Sequence, residues 1–237
     1  MKKSKKKKVV LGILFAIFLM GGSFAGFSLL GQSNPNRAKD SQDSVKIVDL
    51  LTNPVTQNAS AIGDKRANIT LIEFGDYQCQ YCAKFHREIR GQLINNYVAS
   101  GEVKFLFKDF VINDKPGDKS STLAAVGSYC AAEQGKYWNY HDELYSNSKG
   151  ENTPWITKET LKKFAVNINI PDIVKFSNCL ESQRYSNLVM QNDNFAKSIG
   201  LTSTPSFILV TPGKQPLAII GAQPYSVFEQ AIRQIKS

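Results

Sequence analysis

Two cysteines separated by two residues, Cys79 and Cys82, are the side chains of this sequence best suited to covalent chemistry. An apolar segment at residues 69–74 precedes them and apolar residues at helical spacing follow, so the pair is predicted where a strand passes into a helix. At the start of a helix, free N–H groups and the helix dipole stabilise an anion. We therefore predict that Cys79, exposed at that helix terminus, ionises readily and is the nucleophile. Cys82, one turn further on, would resolve the mixed disulfide by closing a disulfide with Cys79.

Other uses of a close cysteine pair fit this sequence less well. A structural zinc site needs about four ligands, usually as two close pairs, and the chain has only four Cys and two His. Covalent haem attachment needs His directly after the second cysteine, where Ala83 stands. A purely structural short disulfide remains an alternative, although a bridge strained by helix geometry tends to be labile.

The residues around the pair predict a strand–helix–strand unit. Residues 69–74 (ITLIEF) and 103–107 (VKFLF) are short apolar segments typical of buried strands. Between them, one helical stripe of apolar side chains is formed by Cys82, Phe85, Ile89, Leu93 and Tyr97. This order predicts a right-handed crossover between parallel strands.

The remainder of the chain predicts a helical block followed by a hairpin and a last helix. A long helical stretch is predicted from about residue 118 to residue 199, and Pro154 and Pro171 divide it into separate helices. Residues 206–211 and 217–220 form the hairpin, and 225–235 the closing helix. We therefore predict an α/β domain over residues 53–237, in which helices flank a mixed central sheet and a helical subdomain is inserted.

The N-terminal region predicts a membrane anchor. Residues 1–8 form a Lys-rich tail and residues 9–31 carry no charge, which is long enough to span a bilayer with the Lys run inside. Residues 32–52 form a polar linker. A cleaved signal sequence is the alternative, because Ser23 and Ala25 flank Phe24 as a small-x-small site. Either arrangement places the domain outside the cytoplasm, where disulfides persist.

The basic charge does not indicate a nucleic-acid partner. Six of the 29 Lys and Arg residues lie in the first eight positions, so the rest of the chain carries 23 basic against 20 acidic residues. Nucleic-acid binding normally needs clustered Lys and Arg. We expect the N-terminal cluster to face the membrane instead.

Cys130 and Cys179 are the two remaining cysteines, and both lie in the helical block. In an oxidising compartment two such thiols would form a structural disulfide. Two unpaired buried cysteines remain the alternative.

Three motifs in this order resemble the DsbA-like thiol–disulfide oxidoreductase family, over about residues 53–236. They are residues 69–82 (ITLIEFGDYQCQYC), 130–142 (CAAEQGKYWNYHD) and 200–207 (GLTSTPSF). The resemblance implies a thioredoxin fold with the helical insertion, and a redox-active Cys79–Cys82 disulfide. No organic cofactor is expected, because the chain has no Gly-rich phosphate loop.

The resemblance also implies roles for three further residues. Pro205 would follow a cis peptide bond and face the disulfide, and Thr204 would present backbone groups beside Cys79 to an extended substrate chain. Glu73 would be the proton acceptor beneath Cys82. A solvent-facing strand residue is the alternative reading of Glu73.

The active-site dipeptide, Gln80 and Tyr81, departs from the family's strongest oxidants, which carry His before the second cysteine. Tyr81 can donate one hydrogen bond but supplies no positive charge to the Cys79 thiolate. We therefore expect a redox potential less oxidising than the about −120 mV of the most oxidising member.

The function predicted from these observations is disulfide formation in reduced or unfolded extracytoplasmic proteins. By resemblance, a membrane quinone-linked thiol oxidase would re-oxidise the dithiol. A reductase or isomerase of the same fold is one alternative. A copper carrier or chaperone-like binding module is another, but no metal is predicted, because copper carriers of this fold usually add a late His and none follows His141.

Overall fold

The structure is a computed structural model that describes residue 51 and residues 60–237. The predicted Lys-rich tail, the membrane anchor or signal sequence, nearly all of the linker and the first residues of the domain lie outside the described residues. Within the described ranges, no helix has the length and apolar character needed to cross a membrane.

A five-stranded mixed sheet forms the centre of the domain. Its strands are β1 (Ala61–Ile62), β2 (Ile69–Gly75), β3 (Val103–Asp109), β4 (Ser206–Val210) and β5 (Leu217–Ile220), in the order β1-β3-β2-β4-β5. β2 and β3 run parallel and the other pairs are antiparallel. The mixed sheet predicted from the sequence is confirmed; β1 was not predicted, because two residues carry no periodic pattern. Every residue of β2 is buried, so the strand that leads to the cysteine pair lies in the core.

The helix that follows β2 begins as predicted but changes its winding. It starts as α1 (Gln80–Phe85) and continues through π-helical turns at His86–Arg90 and Ile94–Val98, on either side of α2 (Gly91–Leu93). Because a π-turn inserts an extra residue, it rotates the following side chains relative to a regular helix. Val98 therefore takes the buried position expected for Tyr97, which is half-buried, and Arg90 turns inward.

The predicted helical block is present between β3 and β4. Its helices are α3 (Ser120–Ala132), α4 (Tyr137–Ser146), α5 (Lys158–Asn167), α6 (Ile173–Glu181) and α7 (Ser186–Ser198). α3 is buried over most of its length and is the centre of the subdomain. Thr157 and Asp172 end the two proline-containing breaks as N-caps, since their side chains accept hydrogen bonds from the first turns of α5 and α6. α8 (Tyr225–Lys236) closes the chain.

A disulfide joins Cys130 of α3 to Cys179 of α6, with the two Cα atoms 5.8 Å apart. Both cysteines are buried. The bridge therefore ties two helices of the subdomain to each other.

The subdomain and the redox pair share one apolar core. Cys79, Cys82 and Tyr77 pack in the same cluster of buried residues as α3 and α4. A second cluster fills the space between β2, α1 and α8. The cysteine pair is thus placed at the junction of the sheet and the inserted helices.

Candidate active site

A buried carboxylate shapes the turn between β2 and α1. Asp76 accepts hydrogen bonds from the backbone N–H of Gln78 (2.8 Å), the Ser121 hydroxyl (2.7 Å) and the backbone N–H of Asn113 (2.9 Å). Burial nevertheless raises the pKa of Asp76 to about 6. The contact to Gln78 is an Asx-turn, a signal readable in the sequence, whereas the contacts to distant residues are not. The turn brings Cys79 to the start of α1.

Cys79 is the N-cap residue of α1 and has an extended backbone conformation. Its thiol donates a hydrogen bond to the Thr204 carbonyl oxygen, with sulfur and oxygen 3.3 Å apart. A hydrogen bond from the Cys82 thiol lowers the pKa of Cys79 to about 7, helped by the backbone N–H groups of Cys82 and Tyr81 and opposed by burial. Its thiolate is therefore populated at neutral pH.

The exposure expected for Cys79 is not found in this dithiol state. Only 3% of the residue is exposed, and the Thr204 carbonyl lies against its thiol. The prediction of an exposed nucleophile was wrong in this respect, since the free end of a helix can still be covered by a neighbouring loop. A partner must therefore contact this loop closely to reach the sulfur.

Cys82 differs from Cys79 in burial and in acidity. It has no exposed surface, and desolvation raises its pKa well above the ordinary thiol value. The nearby Cys79 and Glu73 raise it further when they are negatively charged. At this site, therefore, Cys79 is the more acidic thiol and Cys82 the less acidic one.

Glu73 lies on β2 with no hydrogen-bond partner for either carboxylate oxygen among the described residues. Only 1% of it is exposed, so the alternative of a solvent-facing side chain is wrong. Desolvation raises the pKa of Glu73 to about 8, and the positive charge of Arg90 opposes that rise. A group of this pKa can exchange a proton near neutral pH.

The loop before β4 contacts the cysteine pair through Thr204. The Thr204–Pro205 peptide bond is cis. Thr204 is 7% exposed, and its hydroxyl has no hydrogen-bond partner among the described residues. Tyr81, in contrast, is 56% exposed, which makes it the accessible side chain of the active-site dipeptide. Gln80 lies near Gly150, where an added Cβ would be 4.0 Å from the Cβ of Gln80.

A cluster of charged and aromatic side chains lies one turn beyond Cys82. His86 and Arg90 both contact one oxygen of Asp142, at 3.1 and 2.9 Å. His141 is fully buried and shares a hydrogen bond of 3.0 Å with the Tyr77 hydroxyl. The sequence gives no sign that Arg90 is buried, because it faces inward only through the π-turn.

The same cluster contains the one group of described side chains with a metal-binding arrangement. Donor atoms of His86, His141 and Asp142 lie within 4.8 Å of one another. The Arg90 guanidinium contacts the Asp142 carboxylate and stacks over Trp138, 4.9 Å from the ring centroid. A cation bound there would be repelled by that positive charge, so the arrangement fits an ion pair better than a metal site.

Sequence comparison relates the chain to thioredoxin-family proteins and to proteins named for disulfide bond formation. The thioredoxin family matches residues 55–211. A protein of Bacillus anthracis, named as a probable disulfide bond formation protein D, is 26% identical over 206 residues, which cover 86% of this chain and 88% of that protein. Disulfide bond formation protein D of Bacillus subtilis is 24% identical over 157 residues, covering 65% of this chain and 68% of the other.

Solved structures show the same fold. Oxidised BdbD from Bacillus subtilis superposes with a TM-score of 0.67 at 21% identity, over 76% of this chain and 95% of that one. Wolbachia pipientis alpha-DsbA1 gives a TM-score of 0.65 at 20% identity, over 74% and 89%. The chain therefore belongs to the thioredoxin family, as one of its DsbA-like thiol–disulfide oxidoreductases.

Proposed function

We propose that this protein introduces disulfides into reduced proteins outside the cytoplasm, through Cys79 and Cys82. A substrate thiolate attacks the Cys79 sulfur of the oxidised pair, and Cys82 leaves as a thiolate that takes up a proton. A second substrate thiolate then attacks the mixed disulfide and releases the Cys79 thiolate. The substrate loses two electrons and two protons: the enzyme gains both electrons, Cys82 keeps one proton, and the other proton goes to the Cys79 thiolate or to solvent.

The lowered pKa of Cys79 is the observation that supports this direction. A thiol of low pKa is a good leaving group, and stabilising its thiolate stabilises the reduced pair, which makes the disulfide more oxidising. Cys82 has its pKa raised, so in the reduced protein it stays protonated while Cys79 carries the negative charge.

Substrate recognition is proposed to use the backbone beside Pro205. Residues 203–205 precede β4 and lie against Cys79 through the Thr204 carbonyl. An extended peptide could pair with this segment as an added strand, which would bring its cysteine to the Cys79 sulfur. Such pairing depends on main-chain groups and therefore accepts many sequences.

The location and the redox partner belong to the same proposal. The uncharged segment at residues 9–31 would hold the domain outside the cell membrane, with the Lys run inside. The alternative is secretion after signal cleavage. A membrane quinone-linked thiol oxidase would return the dithiol to the disulfide, and the chemistry needs no organic cofactor. The names of the Bacillus relatives support disulfide formation as the activity.

Serine substitutions of the two cysteines test the proposal. Oxidised protein is mixed with a peptide that carries two reduced cysteines, and peptide disulfide is measured. We expect Cys79→Ser to abolish oxidation and Cys82→Ser to accumulate mixed disulfides with substrate proteins in cells. The Cys130–Cys179 bridge stays intact in both variants and controls for folding. Oxidation that survives Cys79→Ser would overturn the proposal.

A reductase is the second candidate, favoured by Tyr81, because an exposed phenol gives the Cys79 thiolate no positive charge. The redox potential of the Cys79–Cys82 pair separates the two functions. A value well above the about −270 mV of thioredoxin supports the oxidase, whereas a value at or below it assigns the reductase.

A further inference from the structure

We propose that Ser121 of the helical subdomain is a positioning residue for the redox pair. Its hydroxyl holds the Asp76 carboxylate in place, and that carboxylate fixes the turn that presents Cys79. The role rests on the proposed function, because it concerns the reactivity of the same thiol. A side chain of α3, far from the cysteine pair in sequence, thereby takes part in thiol exchange.

The Ser121 side chain lies between two residues of the active-site turn. Its hydroxyl donates a hydrogen bond of 2.7 Å to Oδ1 of Asp76 and accepts one of 2.9 Å from the Gln78 side-chain amide. Ser121 is the second residue of α3 and has no exposed surface, and Asp76 and Gln78 are 1% and 4% exposed. Loss of either hydrogen bond would therefore leave a buried polar group unsatisfied, which costs free energy.

The Asp76 carboxylate fixes the backbone that leads to Cys79. The same Oδ1 atom accepts the backbone N–H of Gln78 at 2.8 Å, and the backbone carbonyl of Asp76 accepts the N–H of Cys79 at 3.0 Å. The second carboxylate oxygen accepts the N–H of Asn113 at 2.9 Å. Asp76 thus holds the turn with both its side chain and its main chain, and Ser121 supplies a donor from outside the turn.

The direction of these hydrogen bonds requires the charged form of Asp76. An amide NH2 group only donates, so the single hydroxyl proton of Ser121 is left to point at the carboxylate. An ionised carboxylate accepts at both oxygens, whereas a protonated one carries a hydrogen that must itself find an acceptor. Protonation of Asp76 would therefore disturb the hydrogen bonds that hold the turn.

The groups around Asp76 determine where it titrates. Burial raises its pKa to about 6, and the hydrogen bond from Ser121 is the largest of the effects that lower it. Asp114, in the loop before α3, raises the pKa of Asp76 further through its negative charge, and Lys119 lies 3.9 Å from the Asp114 carboxylate. From α4, Tyr145 stays neutral, because burial raises its pKa well above the ordinary value. Removing the Ser121 hydroxyl should therefore raise the pH at which Asp76 ionises by about one pH unit.

The charge of Asp76 and its positioning role act on Cys79 with opposite signs. From α1, the Cys79 thiolate is the charged group, since Cys82 stays protonated. Neutralising Asp76 would by charge alone favour the thiolate and speed its reaction. A loosened turn does the reverse, because Cys79 is then no longer held against the N–H groups at the start of α1. Three donors already face the carboxylate and partly compensate its charge, so we expect the loss of positioning to be the larger effect.

The pH dependence of the Cys79 reaction tests this role. Reduced protein is mixed with excess dipyridyl disulfide, and the first release of thiopyridone, which belongs to Cys79, is followed from about pH 5 to pH 8. In the wild type, the logarithm of the rate should rise with a slope near one between about pH 6 and 7, and more steeply below, where the thiol and Asp76 both ionise. Ser121→Ala should move the steep region up by about one pH unit, which lowers the rate about fivefold at pH 6 and less than about twofold at pH 8.

Ser120→Ala is the matched control, because it removes a hydroxyl from the neighbouring residue in the same turn of α3. The Ser120 hydroxyl donates to the Asp118 carboxylate, and its removal should leave the pH profile unchanged. A general loosening of the fold by Ser121→Ala would lower the rate equally at every pH, and a faster reaction at pH 6 would show that charge repulsion governs Cys79. Either result, or an equal effect of Ser120→Ala, would overturn the inference.

The wild type and Asp76→Asn cover the case in which Ser121→Ala does not fold. The variant has no titrating group at this position, so its slope should stay near one down to about pH 5, where the wild type is steeper. A wild-type profile without the steep region, or an Asp76→Asn profile that keeps it, would count equally against the role of Ser121. The proposed function fails separately: a first phase of unchanged rate in Cys79→Ser would exclude Cys79 as the nucleophile, and the inference with it.

Discussion

At the scale of single residues, the reaction depends on how burial distributes protons among Cys79, Cys82 and Glu73. Cys79 ionises at a pKa of about 7, Glu73 at about 8, and Cys82 well above the ordinary thiol value. At neutral pH, therefore, Cys79 is largely a thiolate, Cys82 is a thiol, and the Glu73 carboxyl group is mostly protonated. Proton transfer from Cys82 needs the minor carboxylate form, so its attack should accelerate as pH rises toward 8.

Replacing Glu73 with Gln tests this base. In a stopped-flow reaction of the reduced protein with excess aromatic disulfide, Cys79 reacts in a first phase and Cys82 then attacks the mixed disulfide in a second. The second phase should slow about 100-fold in Glu73→Gln and lose its rise between pH 7 and 8, because a positioned general base contributes this order of rate. The first phase, which belongs to Cys79, serves as the internal control. A second phase of unchanged rate and pH dependence would exclude Glu73 as the proton acceptor.

The same substitution, Glu73→Gln, changes the pH dependence of stability. The folded state raises the pKa of Glu73 from 4.5 to about 8, so the wild type loses unfolding free energy as pH rises through this interval. The amide of the variant does not titrate. Relative to the wild type, the unfolding free energy of the variant should therefore rise by up to about 5 kcal/mol between pH 4.5 and pH 8. Urea unfolding at each pH measures this difference. A difference that stays constant with pH would contradict the raised pKa.

The active-site dipeptide makes a separate prediction at this scale. A His at position 81 could carry the positive charge that Tyr81 lacks, and stabilise the Cys79 thiolate. Tyr81→His should therefore raise the redox potential by about 30 mV, which corresponds to about 1.4 kcal/mol for two electrons. Equilibration with glutathione measures the potential, and Tyr81→Phe controls for the ring. An unchanged or lower potential in Tyr81→His would show that the dipeptide does not tune the pair.

At the scale of elements, the sequence predicts the strands and helices that have a periodic apolar pattern. It does not predict features that depend on contacts between residues far apart in the chain. The apolar run at 69–74 and the helix after Cys79 are readable, because their patterns repeat over several residues. The π-turns that bury Arg90 are not, since the residues of His86–Arg90 are compatible with an ordinary helix. The contact between Ser121 and Asp76 is equally hidden, because it joins residues 45 positions apart, in the helical subdomain and the active-site turn.

The bridge between α3 and α6 has a stability role that can be separated from the redox pair. Cys130 and Cys179 close a loop with a sequence separation of 49. In the chain-entropy argument, the disulfide restricts the unfolded chain, so removing a crosslink that closes a loop of this size lowers the unfolding free energy by about 4 kcal/mol. The double variant Cys130→Ala/Cys179→Ala should lose about this much in urea unfolding. Because neither bridge cysteine takes part in the exchange at Cys79, the redox potential should stay unchanged; a shifted potential would show coupling between the two disulfides.

At the scale of the whole molecule, the redox state and the folded state are linked through the ionisation of Cys79. In the dithiol form folding lowers its pKa from 9.0 to about 7, so this group stabilises the reduced protein fully above pH 9 and loses the contribution as pH falls through 7. The shift corresponds to about 3 kcal/mol. The disulfide form has no such thiol, so the reduced protein should gain unfolding free energy relative to the oxidised protein between pH 6 and pH 8.5.

The potential of the pair must show the same ionisation. Below the pKa of Cys79, reduction binds two protons for two electrons, and the potential should fall by about 59 mV per pH unit. Above it, only Cys82 takes a proton, because its pKa is raised, and the slope should halve to about 30 mV. The break is therefore expected near pH 7 in glutathione equilibria measured from pH 5.5 to 8.5. A constant steep slope across this range would mean that Cys79 stays protonated, and the proposed leaving group would lose its physical basis.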